Sequence, residues 1–142
     1  MRIKKTHPEA VIPKYATEGS AGFDLVTVED TVIEPGETKL IRTGLAFEVP
    51  RWHELQVRPR SGISLKTKLR VILGTVDSDY RGEVGVIVDN IGDKDELITK
   101  GTRIAQGVLT PISIANMIIV DELSQTERGT GGFGSTGKEV RA

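Results

Sequence analysis

Short runs of alternating apolar residues constrain what this chain can fold into more than any other feature of its sequence. Such runs occur in four windows. The first contains Phe23 and Leu25, and the second contains Leu55 and Val57. The third contains Val84, Val86 and Val88, and the fourth contains Ile112 and Ile114. Because successive side chains of a strand point to opposite faces, this period of two indicates strands with one buried face. Turn-forming pairs such as Pro35-Gly36 and Gly92-Asp93 lie between the windows. Many short strands at near-regular spacing predict a closed all-β domain, either a jelly roll or a barrel.

The composition excludes several classes of function. With 142 residues the chain has the size of one domain, and with 4% aromatic residues its core must consist mainly of Val, Ile and Leu. The formal net charge of -1 provides no broad positive field, so we expect no nucleic-acid partner. The sequence contains no cysteine, which rules out disulfides, thiolate nucleophiles and cysteine-ligated zinc.

The distribution of apolar residues also bears on localisation. The first ten residues, MRIKKTHPEA, are charged and lack the apolar run of a signal peptide. No stretch approaches the roughly 20 apolar residues of a membrane span. We therefore expect a cytoplasmic protein without membrane contact.

Two familiar chemistries find no support in the residues. The only histidines, His7 and His53, lie near the terminus and in a turn-like PRWHE, and neither position suggests a catalytic role. The letters GTGGFG match a dinucleotide-binding fingerprint, which functions only after a strand, at the start of a helix, with an acidic residue about 20 positions on. Only eight residues follow Gly134, so this interpretation fails.

Two segments depart from the strand pattern. SGISLKTK, residues 61–68, predicts one short helix with Ser61 as its N-cap, followed by the strand-like LRVILGTV. In RGTGGFGSTG, residues 128–137, four glycines within six residues disfavour a regular strand. We therefore predict a β domain over residues 1–127 and a C-terminal arm over residues 128–142 that is flexible when nothing is bound.

Both of these segments also suit phosphate binding. PRSG, residues 59–62, places an arginine at the start of the predicted helix, where free N–H groups and the helix dipole favour an anion. The alternative is a simple helix cap beside a solvated arginine. The glycines, arginine and hydroxyls of residues 128–137 could surround a polyphosphate while Phe133 stacks on a base. The alternative there is a disordered terminus.

Polar residues within apolar segments supply the remaining chemistry. Asp77, Asp79 and Tyr80 lie in a predicted hairpin turn, where a carboxylate could act as a general base toward water. An ordinary acidic turn would have the same spacing. Asp24 interrupts an apolar strand, as either a buried group with partners or a ligand for a hard cation. Gln106 is a further polar residue within a predicted strand.

Read together, these segments resemble the trimeric dUTPase family along nearly the whole chain. The five family motifs occur in order, as AGFDL at 21, PRSG at 59, GTVDSDYRGE at 74, GTRIAQ at 101 and RGTGGFGSTG at 128. The resemblance implies a distorted jelly-roll β-barrel that forms a homotrimer, with each active site shared between subunits and the arm 128–142 closing over a neighbour's nucleotide. The implied enzyme hydrolyses dUTP to dUMP and pyrophosphate, which limits uracil in DNA and supplies dUMP for thymidylate synthesis.

The resemblance also implies a role for each motif. Asp77 would activate the water that attacks the α-phosphorus in line, and Tyr80 would pack beneath the deoxyribose and exclude a 2′-hydroxyl. The cofactor would be Mg²⁺, chelated by the phosphates and reached by Asp24 only through water. The other substrate-binding residues would be Gly74, Thr75 and Val76 at uracil, Arg60, Ser61, Gly62 and Gln106 at the phosphates, and Arg128, Phe133, Gly134 and Ser135 in the arm.

One departure from the family pattern affects base recognition. Val71 stands where several members carry an asparagine that contacts uracil, and Leu73 is bulkier than the residue often found there. We therefore expect the backbone alone to recognise uracil. The nearest alternative is a dCTP deaminase. Those enzymes lack the water-activating aspartate, whereas this chain retains Asp77 and Tyr80. The other alternative is a regulatory protein that binds dUTP without hydrolysing it.

Overall fold

The computed structural model describes residues 1–132. Antiparallel β-strands dominate this part of the chain, and one short helix lies in its middle, which confirms the predicted all-β class. The elements are β1 Arg2–Lys5, β2 Phe23–Val26, β3 Thr31–Ile33, β4 Thr38–Glu48, β5 His53–Pro59, α1 Ser61–Lys66, β6 Leu69–Val71, β7 Gly74–Val76, β8 Glu83–Asn90, β9 Glu96–Ile98 and β10 Arg103–Pro111.

The strands form two four-stranded sheets and one two-stranded ribbon. The strand orders are β1-β4-β8-β6, β2-β10-β5-β7 and β3-β9. Neighbouring strands are mostly far apart in sequence, so the chain passes repeatedly from one sheet to the other, as in a jelly roll. Hydrogen bonding closes neither sheet within residues 1–132, so the expected closed barrel is instead a pair of packed sheets with separate edges.

The core lies between the inner faces of the two sheets. Along β8 the valines Val84, Val86 and Val88 are buried, and the residues between them are less so, as the period of two predicts. The rings of Phe23 and Phe47 stack across the core with their centroids 6.0 Å apart. Branched aliphatic side chains supply most of the remaining buried surface, which confirms the expectation from composition.

The predicted helix is present but begins and ends differently. Arg60, in an extended conformation, is the N-cap, and no side chain caps the helix, so the prediction that Ser61 is the cap is wrong. The Arg60 carbonyl accepts hydrogen bonds from the N–H groups of Ile63 and Ser64, both at 3.1 Å, which makes Ser61 the first helical residue. The helix ends at Lys66, because Thr67 is extended and its hydroxyl bonds the Ile63 carbonyl.

The predicted strand at Ile112 and Ile114 is absent. β10 ends at Pro111, which pairs with His53, the first residue of β5. A strand needs a hydrogen-bonded neighbour, and β5 offers none beyond that point. From residue 112 to residue 132 the chain forms neither helix nor strand. Among the residues that the structure describes, no helix has the length and apolar character needed to span a bilayer.

Asn90, the last residue of β8, connects the β3-β9 ribbon to the sheet that contains β8. Its side chain is 1% exposed and donates hydrogen bonds to the carbonyls of Ile33 and Lys94, both at 2.8 Å. The side-chain oxygen Oδ1 accepts a third hydrogen bond, from the Gly92 N–H, at 2.9 Å. We expect Asn90→Ala to lower the free energy of unfolding by about 3 kcal/mol, because it leaves buried polar groups unpaired.

Urea denaturation at one protein concentration measures this loss. Asp93→Ala, in the exposed loop that follows β8, is the control and should change the free energy of unfolding by less than about 0.5 kcal/mol. Equal effects of the two substitutions would contradict a structural role for the Asn90 side chain.

Candidate functional site

The acidic turn lies between the two sheets. It follows β7, which pairs with β5 in one sheet, and precedes β8, which pairs with β4 and β6 in the other. The predicted hairpin between two adjacent strands is therefore wrong at this position. The reason is that the strand-like LRVILGTV divides into β6 and β7, and the chain changes sheets at Ile72 and Leu73.

This change of sheets opens a cavity beside the turn. The cavity has a volume of about 280 Å³. It brings Asp77 and Tyr80 of the third motif together with the residues of β7. Its wall consists of Leu40, Val57, Ile72, Gly74, Thr75, Val76, Asp77, Tyr80, Glu83, Val84, Gly85 and Ile87. A largely apolar wall with a few polar groups is typical of a small-molecule site.

Hydrogen bonds within the turn determine its shape. The N–H of Tyr80 donates to the Asp77 carbonyl at 3.2 Å. Arg81 donates from one guanidinium nitrogen to the carbonyls of Ser78 and Tyr80, both at 2.8 Å. Asp79 is exposed and is not part of the cavity wall. Of the two aspartates in the turn, Asp77 is therefore the one that faces the cavity.

Glu83 is a residue of this site that the sequence did not single out. Its carboxylate accepts hydrogen bonds from Arg42 Nε at 3.2 Å, Arg42 Nη2 at 3.0 Å, Thr6 Oγ1 at 2.7 Å and the Gly44 N–H at 3.1 Å. The hydrogen bond from Arg42 is the main cause that lowers the pKa of Glu83, and partial burial opposes it. The sequence feature that could have identified Glu83 is the presence of a charged residue at the start of the otherwise apolar strand EVGVIV.

A second group of polar residues lies on β2, β10 and the end of β5. Asp24 pairs with Arg60, Oδ1 to Nε at 2.8 Å, and with Arg103, Oδ2 to Nη1 at 3.4 Å. Arg60 also donates to the Arg103 carbonyl at 2.9 Å, and Gln106 donates to the Pro59 carbonyl at 2.9 Å. Two guanidinium groups against one carboxylate leave this group positively charged, which suits an anion. Arg103 was not predicted, because its motif GTRIAQ drew attention only through Gln106.

The two groups do not meet within one chain. Asp24, Arg60 and Gln106 are not part of the cavity wall that contains Asp77. In the sheet order β2-β10-β5-β7, the Asp24 strand and the Gly74 strand are three neighbours apart, or about 14 Å at the usual strand spacing. A single chain therefore presents the predicted site residues in two separate groups.

The other predicted residues divide between the described and the remaining parts of the chain. Ser61 and Gly62 are exposed at the start of α1, beside Arg60. Arg128 donates from Nε to the Gly131 carbonyl at 2.9 Å and lies in the exposed C-terminal segment. The predictions for Phe133, Gly134 and Ser135 fall outside the described residues.

The Glu83 network predicts a particular dependence of stability on pH. Because the folded state lowers the pKa of Glu83 from 4.5, the carboxylate stabilises the fold above that pH. This contribution is lost as the pH falls through the lower, folded value. We expect Glu83→Gln to be less stable than the parent at neutral pH, and the difference in free energy of unfolding to shrink as the pH falls below about 4.5.

Urea denaturation at several pH values measures that difference. Glu48→Gln, which removes an exposed ion pair with Arg2, should give a smaller difference at neutral pH. A difference for Glu83→Gln that stays constant from neutral to acidic pH would contradict the role of the charge.

Comparisons with known proteins place these features in one family. The family model described as dUTPase matches residues 8–137. The deoxyuridine 5'-triphosphate nucleotidohydrolase of Nautilia profundicola is 54% identical over 140 residues, covering 97% of this chain and 99% of the relative. That of a Picosynechococcus species is 50% identical over 139 residues, covering 96% and 98%. A mutant Staphylococcus bacteriophage 80alpha dUTPase, solved with dUpNHpp, superposes with a TM-score of 0.92 at 30% identity, covering 96% of this chain and 98% of that one. The chain therefore belongs to the dUTPase family.

Proposed function

We propose that this protein hydrolyses dUTP to dUMP and pyrophosphate, with Asp77 as the general base. One observation carries the proposal: Asp77, Tyr80 and the backbone of β7 share one cavity in a chain of the dUTPase family. The phage dUTPase that this fold matches was solved with dUpNHpp, an imido analogue of dUTP. In the cell, the reaction would lower the dUTP available for incorporation into DNA and supply dUMP for thymidylate synthesis.

The surroundings of the acidic residues support Asp77 as the base. Its carboxylate is exposed at the cavity wall, and among the described residues no group donates a hydrogen bond to it. Glu83 also borders the cavity, but its oxygens are occupied by Arg42, Thr6 and Gly44. Asp77 can therefore accept a proton from water. The resulting hydroxide attacks the α-phosphorus in line, the bond from that phosphorus to the α–β bridging oxygen breaks, and pyrophosphate leaves.

The edge position of β7 supports uracil recognition by the main chain. In the described part of the chain β7 pairs with β5 alone, so the N–H and C=O groups on its other side are available to a ligand. Val71 is buried and pairs with Val88, so its side chain is not available to the base. Leu73 is exposed at the change of sheets. These positions agree with backbone recognition through Gly74, Thr75 and Val76, with Tyr80 beneath the sugar.

The second polar group is the proposed triphosphate site. Arg60 supplies a planar fork of donors for phosphate oxygens, and Arg103 adds a second guanidinium beside it. Ser61 and Gly62 contribute backbone N–H groups at the start of α1, which have no helical acceptor. Gln106 adds an amide on the adjacent strand. Arg128 and the arm residues would complete the phosphate and base contacts from another subunit.

The donor atoms near the phosphate site fit a hydrated Mg²⁺ ion better than a bare one. Within residues 1–132 no group of three or more acidic, histidine or cysteine side chains could hold a metal. Asp24 is a single carboxylate, already paired with Arg60 and Arg103. A Mg²⁺ ion that retains its waters and binds mainly phosphate oxygens needs only such a carboxylate in its outer shell. Asp24 would hold it through water, and the ion would neutralise phosphate charge during the reaction.

The exposed C-terminal segment supports a homotrimer. Residues 112–123 include several large apolar side chains at the surface of the single chain, among them Met117 at 87% and Ile119 at 99% exposure. A contiguous exposed apolar run of this kind is typical of a protein interface. Together with the two separated halves of the site, it supports a trimer in which neighbouring subunits complete each active site. The arm, residues 128–142, would then close over a neighbour's nucleotide.

Substitution of Asp77 tests the proposed chemistry. The parent enzyme should release pyrophosphate from dUTP with Mg²⁺, much more slowly from dCTP, dTTP and UTP, and should produce no ammonia from dCTP. We expect Asp77→Asn to bind dUpNHpp as the parent does and to lower kcat by about 10²–10⁴, because a positioned base is lost.

Asp79→Asn is the matched control, since it removes the same charge two positions away but outside the cavity wall. Its kcat should stay within about twofold of the parent value. An unchanged kcat in Asp77→Asn would contradict the assignment of the base, and ammonia from dCTP would indicate a deaminase instead.

Mixed trimers test whether sites are shared between subunits. Asp77→Asn and Arg60→Ala should each be nearly inactive alone, because each removes one half of every site. When the two variants are unfolded together and refolded, some sites would combine an intact Asp77 from one subunit with an intact Arg60 from another. We therefore expect dUTP hydrolysis to rise well above the sum of the separately refolded variants. Activity equal to that sum would show that one subunit supplies both residues.

A further inference from the structure

The position of Tyr80 depends on a contact with the first residue of β8. Its hydroxyl donates to the main-chain carbonyl of Glu83 at 3.2 Å. The ring folds back across Gly82, where a Cβ atom would overlap it. Tyr80 is 47% exposed, so packing in the core does not hold the ring. The carbonyl of Glu83 and the bare backbone of Gly82 therefore determine where the tyrosine lies.

The start of β8 pairs irregularly with its own sheet. The pairing of β4 with β8 is irregular between Arg42, opposite Gly85, and Ala46, opposite Glu83. Such an irregularity removes regular ladder hydrogen bonds at that point. Gly44, within the irregular stretch, has a positive φ of 66°. Side-chain hydrogen bonds therefore help to hold this backbone: besides the Thr43 hydroxyl, which donates to the Val84 carbonyl, there is one further attachment at Glu83 itself.

The Glu83 side chain supplies this attachment. Its carboxylate binds the Gly44 N–H inside the irregular stretch, the guanidinium of Arg42 on β4 and the hydroxyl of Thr6 after β1. Two of these donors lie on β4 and the third follows β1, and hydrogen bonds to a charged group are the stronger ones. The same residue thus anchors its backbone through the side chain and holds Tyr80 through its carbonyl.

We propose that the Glu83 carboxylate is a positioning group for Tyr80 and thereby a determinant of selectivity for deoxyribose over ribose. The inference rests on the proposed function, in which Tyr80 packs beneath the sugar. When the carboxylate is lost, the start of β8 loosens, the Tyr80 hydroxyl loses a fixed acceptor and the ring can move away from the sugar. The space then admits a 2′-hydroxyl, so UTP becomes a better substrate relative to dUTP.

The test compares kcat/KM for dUTP and UTP in the full-length enzyme. We expect Glu83→Gln to lower the dUTP-to-UTP ratio by about tenfold or more, the size usual for one misplaced selectivity contact. Glu29→Gln is the matched control, because Glu29 pairs with the same Arg42 at 3.9 Å but does not contact the turn. Its ratio should equal that of the parent.

A double-mutant cycle separates positioning from general destabilisation. Tyr80→Phe removes the hydroxyl and should also lower the ratio, whereas adding it to Glu83→Gln should lower the ratio little further, because both changes break one chain of contacts. Independent, multiplicative effects would overturn the proposal. So would a Glu83→Gln enzyme that loses dUTP and UTP turnover equally.

Arg42→Lys provides the test if Glu83→Gln does not fold. It retains a positive charge but loses the fork that binds the carboxylate, and it should lower the ratio in the same direction. An unchanged ratio in a folded Arg42→Lys trimer would overturn the proposal. Failure of the proposed function is distinguishable, since the parent enzyme would then show no preferential release of pyrophosphate from dUTP.

Discussion

The passage of the chain from β6 to β7 is the constraint on which the site depends. β6 completes the edge of one sheet beside β8, and after two intervening residues β7 forms the edge of the other sheet beside β5. Within residues 1–132, β7 pairs with β5 alone, so the main-chain groups along its other side are not used in strand pairing. The turn that follows must return to β8 across the opening between the sheets. The cavity, the edge strand and the aspartate at its wall thus share one topological origin.

Three carboxylates in this region have different surroundings and, we infer, different tasks. Asp77 is exposed at the cavity wall, the position that the proposed general base needs. Asp24 is paired with two arginines, which leaves an overall positive group suited to phosphates. The Glu83 carboxylate binds Arg42, Thr6 and Gly44. The main-chain carbonyl of the same residue accepts the hydrogen bond from the Tyr80 hydroxyl. Burial and partners, more than residue type, separate a base from a structural acid.

Sequence patterns predicted the local features of this fold well and its long-range pairing poorly. The alternating valines of β8 and the short helix near residue 61 follow from patterns that a few neighbouring residues define, although the predicted Ser61 cap was wrong. Ile112 and Ile114 show the same alternation but form no strand, since their neighbour β5 begins only at His53. The hairpin expected at Asp77 failed for a similar reason. Periodicity reports which faces are apolar, and it does not report which strand lies alongside.

The residues themselves were sufficient to establish the all-β class, the family resemblance and the positions of Asp24, Arg60, Asp77, Tyr80 and Gln106, because each lies in a motif whose chemistry is local. Only the folded chain revealed that these residues form two separate groups, that β7 lies at a sheet edge within residues 1–132, and that Arg103 and Glu83 lie beside them. Such facts depend on contacts between residues distant in sequence. Thr6 and Glu83, whose side chains meet at 2.7 Å across 77 positions, have no local signal that could have paired them.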